Sequence, residues 1–393
     1  MRIVFFVPWL TQGRGGTESI GSLIASGMAA RGHSVFIYTF DDLWRESQWQ
    51  LDGSIAIRRV PEARDDSSTL QTLLELQVDR PDLIVGLHMN REFFRYVYYA
   101  WRLDVPVVLS EHINPEYPRK IGRFGKRERE IIFEGANRIH VLLPEFIETI
   151  PTHLRERAVS IGNTIHGEDL IQQRSERQKQ VLTVARLVPR KQVDVLIDAF
   201  AKVADLYPEW NLVIAGYGEQ EQELVRQASK LGVSEHVEFL GKTDQVYPLY
   251  ESASIFVLPS ETEGFGLTLT EAMAHGLPAV GFADCEGVNT QIVSGETGLL
   301  VGSEDKCGNL AGALSSLMGN VELRERTGAA GKLRYESLYS NRVVFDQWET
   351  FLREVCDERG HRLRSGDDLT PEERKLKAAL EGGLDDYREE LLG

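Results

Sequence analysis

Cysteine is scarce in this chain: Cys285, Cys307 and Cys356 are the three in 393 residues. They are odd in number and unpatterned, which argues against a disulfide framework or a cysteine metal site and suits a reducing, cytoplasmic setting. No run of about 18 apolar residues occurs, so no segment reads as a membrane span. The start, Met1-Arg2-Ile3-Val4-Phe5-Phe6-Val7-Pro8, is too short for a secretory signal and lacks a small-residue cleavage site. It reads instead as a first buried strand. Positive charge is also in short supply, with 44 Lys and Arg against 60 Asp and Glu and a formal net charge of −16. Residues 1–165 hold 20 basic and 21 acidic side chains, which leaves 24 basic and 39 acidic for 166–393, a balance of −15. Nucleic acid is therefore excluded as a partner, because a phosphate backbone demands a basic footprint.

What is present is the composition of a globular protein with room for two large domains, 42% hydrophobic and 26% charged. Short apolar runs without polar alternation recur at Arg2–Val7, Ser34–Thr39, Ala56–Val60, Leu83–Leu87, Val105–Ser110, Arg138–Leu142 and Val159–Ile161. Such runs are expected where helices cover both faces of a parallel sheet. Glu18–Arg31 has helical spacing and ends at Gly32. A polar stretch, Gln172–Lys179, reads as a linker. A second series follows at Val181–Ala185, Asn211–Ala215, Val237–Leu240, Ile255–Leu258, Ala279–Phe282 and Leu299–Val301, with helices such as Asp194–Leu206 and Gln220–Leu231 between. The fold class is α/β, with two doubly wound domains, 1–165 and 166–340, whose ligands lie at the carboxyl ends of both sheets and face each other across a cleft. An amphipathic helix at 341–356 and a charged, partly helical appendage at 357–393, with a helix start at Thr370-Pro371-Glu372-Glu373, complete the chain.

One segment carries most of the chemical information: Glu263-Gly-Phe-Gly-Leu-Thr-Leu-Thr-Glu271-Ala-Met-Ala-His-Gly-Leu-Pro278. A strand closed by Pro259 leads into a loop left bare at Gly264 and Gly266, and from Leu267 the pattern is helical until Gly276. Free N–H groups and the helix dipole at such a junction suit an anion. Upstream, Gly13-Arg14-Gly15-Gly16-Thr17-Glu18 opens the first helix, and Gly216-Tyr217-Gly218 follows a strand of the second domain. A dinucleotide fingerprint would require a third glycine where Glu18 and Glu221 stand, so hydride chemistry is disfavoured.

The Glu263–Gly281 string closely resembles the signature of retaining glycosyltransferases of family 4, the glycosyl transferases group 1, and the resemblance covers roughly residues 1 to 350. It implies the GT-B fold, a Rossmann-like acceptor-side domain followed by a Rossmann-like donor domain, with the 341–356 helix crossing back to the first. In the family the first glutamate, here Glu263, lies against the donor sugar, and the second, Glu271, hydrogen-bonds the ribose. Gly15 and Gly16 match the loop over the donor diphosphate. Arg186 and Lys191 match the family's cation pair, with Gln192 where a glycine is usual and Arg190 as an additional cation. Two fixed cations suit a departing diphosphate. His112, just past a strand, matches a histidine placed near donor and acceptor, with His88 a weaker candidate; His33, His140 and His275 read as structural. Asn163 falls at the interdomain crossing. Gly216, Tyr217 and Leu240 are expected at the nucleoside, and Gly264, Phe265, Gly266, Leu267 and Thr268 around the diphosphate and sugar.

The chain has no Asp-x-Asp, the motif with which the other large glycosyltransferase fold holds a divalent metal, so neither a metal nor a cofactor is expected. The implied activity is transfer of a hexosyl or N-acetylhexosaminyl unit from a UDP- or GDP-sugar to an acceptor hydroxyl in polysaccharide, glycan or glycolipid synthesis. The alternatives are a GT-B epimerase and a non-catalytic sugar-nucleotide-binding subunit; a phosphorylase needs a pyridoxal-bearing lysine that has no evident place. Arg119, Lys120, Arg123, Lys126 and Arg127 crowd one segment, which suggests a lipid-linked acceptor or an anionic inner membrane face as a peripheral partner.

Overall fold

A computed structural model of the chain describes residues 1–11, 15–41, 47, 49–61, 66–87, 93–117, 126–171, 176–243, 245–357 and 374. The chain divides into two compact units, Met1–Asn163 together with the chain from Val344, and Thr164–Val343.

The first unit is built on a parallel sheet of seven strands: β1 Arg2–Phe6, β2 Ser34–Thr39, β3 Ala56–Arg59, β4 Leu83–Leu87, β5 Val107–Glu111, β6 Arg138–Val141 and β7 Ala158–Ser160. Their order is β3-β2-β1-β4-β5-β6-β7. The central strands β4 and β5 are buried along their whole length, which explains why the sequence shows unbroken apolar runs there. The strand expected from Val105 begins two residues later. Pro106 lacks an N–H for the ladder, and its carbonyl accepts from Ile84 N at 3.0 Å. The Asn137 side chain then accepts from Val107 N at 3.0 Å.

The helix Asn341–Cys356 packs with this unit from Val344 onward. Trp348, Phe351, Leu352 and Val355 are buried, with the Trp348 ring 4.5 Å from His140. Burying such side chains contributes roughly 1.5–3 kcal/mol each. The half-exposed Arg31–Asp346 pair at 2.8 Å contributes at most about 1 kcal/mol, so apolar burial fixes this helix.

The second unit repeats the plan with six parallel strands: β8 Gln180–Val184, β9 Asn211–Ala215, β10 Val237–Gly241, β11 Ile255–Leu258, β12 Ala279–Phe282 and β13 Gly298–Val301. Their order is β10-β9-β8-β11-β12-β13. Trp210 and Phe200 anchor the core on one face, with the Arg324 guanidinium 5.0 Å over the Trp210 ring. Two doubly wound sheets of this kind are the GT-B architecture. The end of the expected linker proves to be a bound strap: Arg177 donates to the Tyr250 and Ala253 carbonyls at 3.0 and 2.8 Å, and Gln178 N donates to Ser252 O at 2.7 Å. Residues 172–175 lie outside the described part, as does the 357–393 appendage apart from Asp357 and Arg374.

Each sheet reverses its direction of growth once, between β1 and β4 in the first and between β8 and β11 in the second. Ligands in open α/β sheets bind beyond the carboxyl ends of the strands at such switch points. In the second unit those ends feed two loops, 185–192 and 259–266. Among the described residues, no helix is long and apolar enough to cross a membrane.

Candidate functional site

Glycine sets the first of these loops. Ala185 N donates to Ala215 O at 3.0 Å and Leu187 N to Tyr217 O at 2.9 Å, so the chain after β8 runs tightly beside the chain after β9. A Cβ on Gly216 would lie 1.8 Å from Ala185 O, and one on Gly218 2.2 Å from Leu187 O. No other residue type fits that approach. Tyr217 stands exposed with Lys242 Nζ 5.7 Å from its ring centre, and Leu240 lies on the edge strand β10.

The loop then tightens into a 3₁₀ turn, Pro189–Lys191, and Gln192 follows at φ 48°, ψ 40°. This is the left-handed conformation that glycine adopts most readily, held here by a glutamine whose Oε1 accepts from Lys306 Nζ at 3.1 Å. Arg190 joins the two loops, its carbonyl accepting from Glu261 N at 2.8 Å and its guanidinium donating to Thr262 O at 3.3 Å.

The joined loops bring Lys191 onto Glu263. The buried ammonium donates to Glu263 Oε1, Ser260 Oγ donates to the same oxygen at 2.6 Å, and the Arg190 guanidinium lies 3.8 Å from Oε2. Burial alone would raise the Glu263 pKa, but the charge and hydrogen bond of Lys191, with help from Ser260 and Arg190, bring it below the ordinary value. Glu263 is thus an ionised carboxylate at the switch point of the sheet. Arg186 is exposed on the same loop and stays outside this cluster. Ser260 was not among the residues the sequence marked. A hydroxyl directly after the strand-closing Pro259 was the available signal.

Beyond Glu263, Gly266 adopts φ 91° and caps the helix Leu267–Ala274. Its conformation is braced by Gln291, a buried amide that no sequence pattern singles out. Gln291 Nε2 donates to the carbonyls of Phe265 and, at 2.9 Å, of Gly287, while Oε1 accepts from Thr270 Oγ1 at 2.9 Å. Arg334 in turn donates to the Gln291 and Thr290 carbonyls at 2.8 and 2.9 Å. Phe265 is buried against Tyr339, edge to face at 5.4 Å. Leu267 and Thr268 open the helix partly exposed, where the first N–H groups have no intrahelical acceptor.

Glu271 lies in the second turn of this helix in different surroundings. Its Oε2 accepts from Tyr250 Oη at 2.7 Å, and no cation enters its balance. Burial pushes its pKa up to about 7 against the opposing pull of that hydrogen bond. The Tyr250 ring stacks on His275, which stacks on Tyr247, with centroids 5.2 and 5.5 Å apart. His275 Nδ1 donates to Glu271 O at 2.8 Å, so this histidine supports the helix end.

In the first unit, His112 directly follows β5, with Nε2 2.8 Å from Ser110 Oγ. Its neighbour Glu111 is buried in a two-pronged pair with Arg129 at 2.9 and 2.7 Å, which places Arg129 inside the fold. Gly15 and Gly16 open the helix Gly16–Ala30, with Glu18 buried in its first turn. Gly13, Arg14, His88, Arg119, Lys120 and Arg123 lie outside the described residues; Lys126 and Arg127 begin the helix Lys126–Glu134, and their side chains are not described.

Residues 168–334 match the family described as glycosyl transferases group 1. The second unit carries a glycosyltransferase domain. An uncharacterised glycosyltransferase of Haemophilus influenzae is 28% identical over 353 residues, covering 86% of this chain and 96% of that protein. A Campylobacter jejuni relative, named as an α-1,4-N-acetyl-D-galactosaminyltransferase acting on a GalNAc-containing diNAcBac-PP-undecaprenol, is 28% identical over 257 residues, 64% of this chain and 69% of its own. Among solved structures, Anabaena HepE in complex with UDP superimposes with a TM-score of 0.76 at 17% identity, covering 90% of this chain and all of that one. At that identity the likeness speaks for the shared GT-B fold.

Proposed function

We propose that this protein is a retaining glycosyltransferase that moves a hexosyl or N-acetylhexosaminyl unit from a UDP- or GDP-sugar to an acceptor hydroxyl, without a metal ion. The observation that carries this reading is the Lys191–Glu263–Arg190 cluster at the β8/β11 switch point, beside a glycine-capped helix start. The HepE complex with UDP and the group 1 match support a sugar nucleotide as donor.

The donor's anomeric carbon–oxygen bond breaks with its electron pair going to the diphosphate. The acceptor oxygen forms the new bond from the same face, and its proton passes to the departing diphosphate oxygen. Lysine has three N–H donors, so Lys191 can hold Glu263 and a phosphate oxygen together. Arg186, Arg190 and the N–H groups after Gly266 add to the charge stabilisation, which is strongest where the leaving group develops its charge. Glu263, kept ionised, accepts from sugar hydroxyls and steadies the cationic character of the sugar in the transition state. Glu271 takes the ribose hydroxyls. The family resemblance assigns Gly15 and Gly16 to the diphosphate, His112 to the sugar and acceptor, and Gly216, Tyr217 and Leu240 to the nucleoside.

The Campylobacter jejuni relative's named acceptor and the basic segment Arg119–Arg127 favour a lipid-linked diphosphate acceptor at the inner membrane face. A donor screen read by product mass, with the anomeric configuration of the product determined by NMR, tests the reaction. A transferred sugar with the donor's configuration in the presence of EDTA is the expected result. An epimerised donor, or bound nucleotide sugar with no turnover on any acceptor, would remove the transferase reading. Co-sedimentation with anionic liposomes at low salt, lost when Arg123, Lys126 and Arg127 become serine, tests the membrane partner.

A further inference from the structure

Strands β5 and β6 pair so that Ser110 stands opposite His140, both fully buried. Their side chains belong to a continuous chain of hydrogen bonds. His140 Nε2 lies 2.9 Å from the Ile161 carbonyl oxygen, His140 Nδ1 lies 2.7 Å from Ser110 Oγ, and that hydroxyl lies 2.8 Å from His112 Nε2.

Each link has one direction open to it. A carbonyl oxygen only accepts, so His140 carries a proton on Nε2. His140 is enclosed by the sheet and the Trp348 ring, and burial brings its pKa down to about 4 despite the bond to Ile161. The ring is therefore neutral, and its Nδ1 presents a lone pair. Ser110 has a single hydroxyl proton, which that lone pair takes. The serine oxygen is left to accept, so His112 must donate from Nε2.

We propose that Ser110 and His140 are positioning residues that hold His112 in the tautomer protonated at Nε2, leaving Nδ1 as its proton-accepting nitrogen. With that tautomer a neutral His112 can accept but not donate a hydrogen bond at Nδ1, an atom buried in this structure. The consequence for catalysis rests on the placement of His112 beside the sugar and acceptor; the tautomer itself does not. It also gives His140, which reads as structural in the sequence, a part in setting the chemistry of the loop after β5.

The test is ¹⁵N NMR of the histidine rings in full-length protein at a pH where His112 is neutral; with nine histidines, assignment by His112→Gln and His140→Gln is practical. Wild type should show a protonated Nε2 and an unprotonated, pyridine-type Nδ1 at both His112 and His140. Ser110→Ala should give His112 a mixture of tautomers and lower kcat about fivefold, the equivalent of one hydrogen bond of about 1 kcal/mol. A wild-type His112 protonated on Nδ1 overturns the proposal, as does a Ser110→Ala variant whose His112 ring signals are unchanged. If the tautomers are as stated but His112→Gln transfers sugar at the wild-type rate, the catalytic role of His112 falls while the relay stands, so the two failures are told apart.

Discussion

Glu263 and Glu271 belong to one strand–loop–helix segment, yet their surroundings drive them in opposite directions. The loop end surrounds Glu263 with a buried ammonium, a guanidinium and a hydroxyl, which outweigh the cost of its burial. The helix end gives Glu271 a phenol and no cation, and burial pushes its pKa up to about 7. The first arrangement keeps the carboxylate charged at neutral pH. The second leaves a carboxyl whose charge depends on what binds beside it. The difference supports a division of roles, with Glu263 serving charge that develops during transfer and Glu271 serving ligand hydroxyls.

The largest effect expected from disturbing this contrast comes from Lys191→Met. It leaves Glu263 buried without its main partner and should cost roughly 3–5 kcal/mol of stability in denaturant unfolding. Adding Glu263→Gln to it should recover a large part of that loss, and simple additivity would mean that the pair is not coupled. Next comes Glu263→Gln alone, which should lower turnover by about two orders of magnitude with nucleotide affinity nearly intact. Steady-state kinetics beside nucleotide titration separates the two quantities.

A smaller effect concerns pH. The folded pKa of Glu271, about 7, lies above its ordinary value of 4.5, so the native state holds the proton more tightly between those values. The associated stability is fully present below about pH 4.5 and is lost as pH rises through 7. Unfolding of the unliganded protein at pH 5 and pH 8 should reveal roughly 1–3 kcal/mol of this loss, and Glu271→Gln should remove the difference. The smallest effect is at Gln192. Replacing it by glycine relieves the left-handed backbone and should stabilise by about 0.5–1 kcal/mol, less whatever the Lys306 contact contributes. A destabilised Gln192→Gly would mean that this contact outweighs the strain.

The sequence made the strands legible because both sheets are covered on two faces, and their apolar runs are short and bounded by glycine or proline. Ile255–Leu258, closed by Pro259, and Asn211–Ala215, closed by Gly216, are read to the residue. The switch-point loops were legible for the same reason, since glycine is demanded wherever backbones approach this closely. The partners were not. Tyr250 on Glu271, Gln291 under Phe265, His140 behind Ser110 and Arg177 under the Tyr250 carbonyl lie 21 to 73 residues from the groups they serve. None has a local pattern that announces it. Arg190 stood in plain view beside Lys191, but only the fold joins it to the loop that carries Glu263.

The central claim is tested most directly by calorimetric titration of UDP into wild type, Glu263→Gln and Glu271→Ala at pH 6 and pH 8. Wild type and Glu263→Gln should bind UDP alike, both more tightly at pH 8, where Glu271 is ionised. Glu271→Ala should bind about tenfold or more weakly, with no gain from pH 6 to pH 8. Equal weakening in both variants, or a pH gain that survives in Glu271→Ala, would contradict the division of roles between the two glutamates.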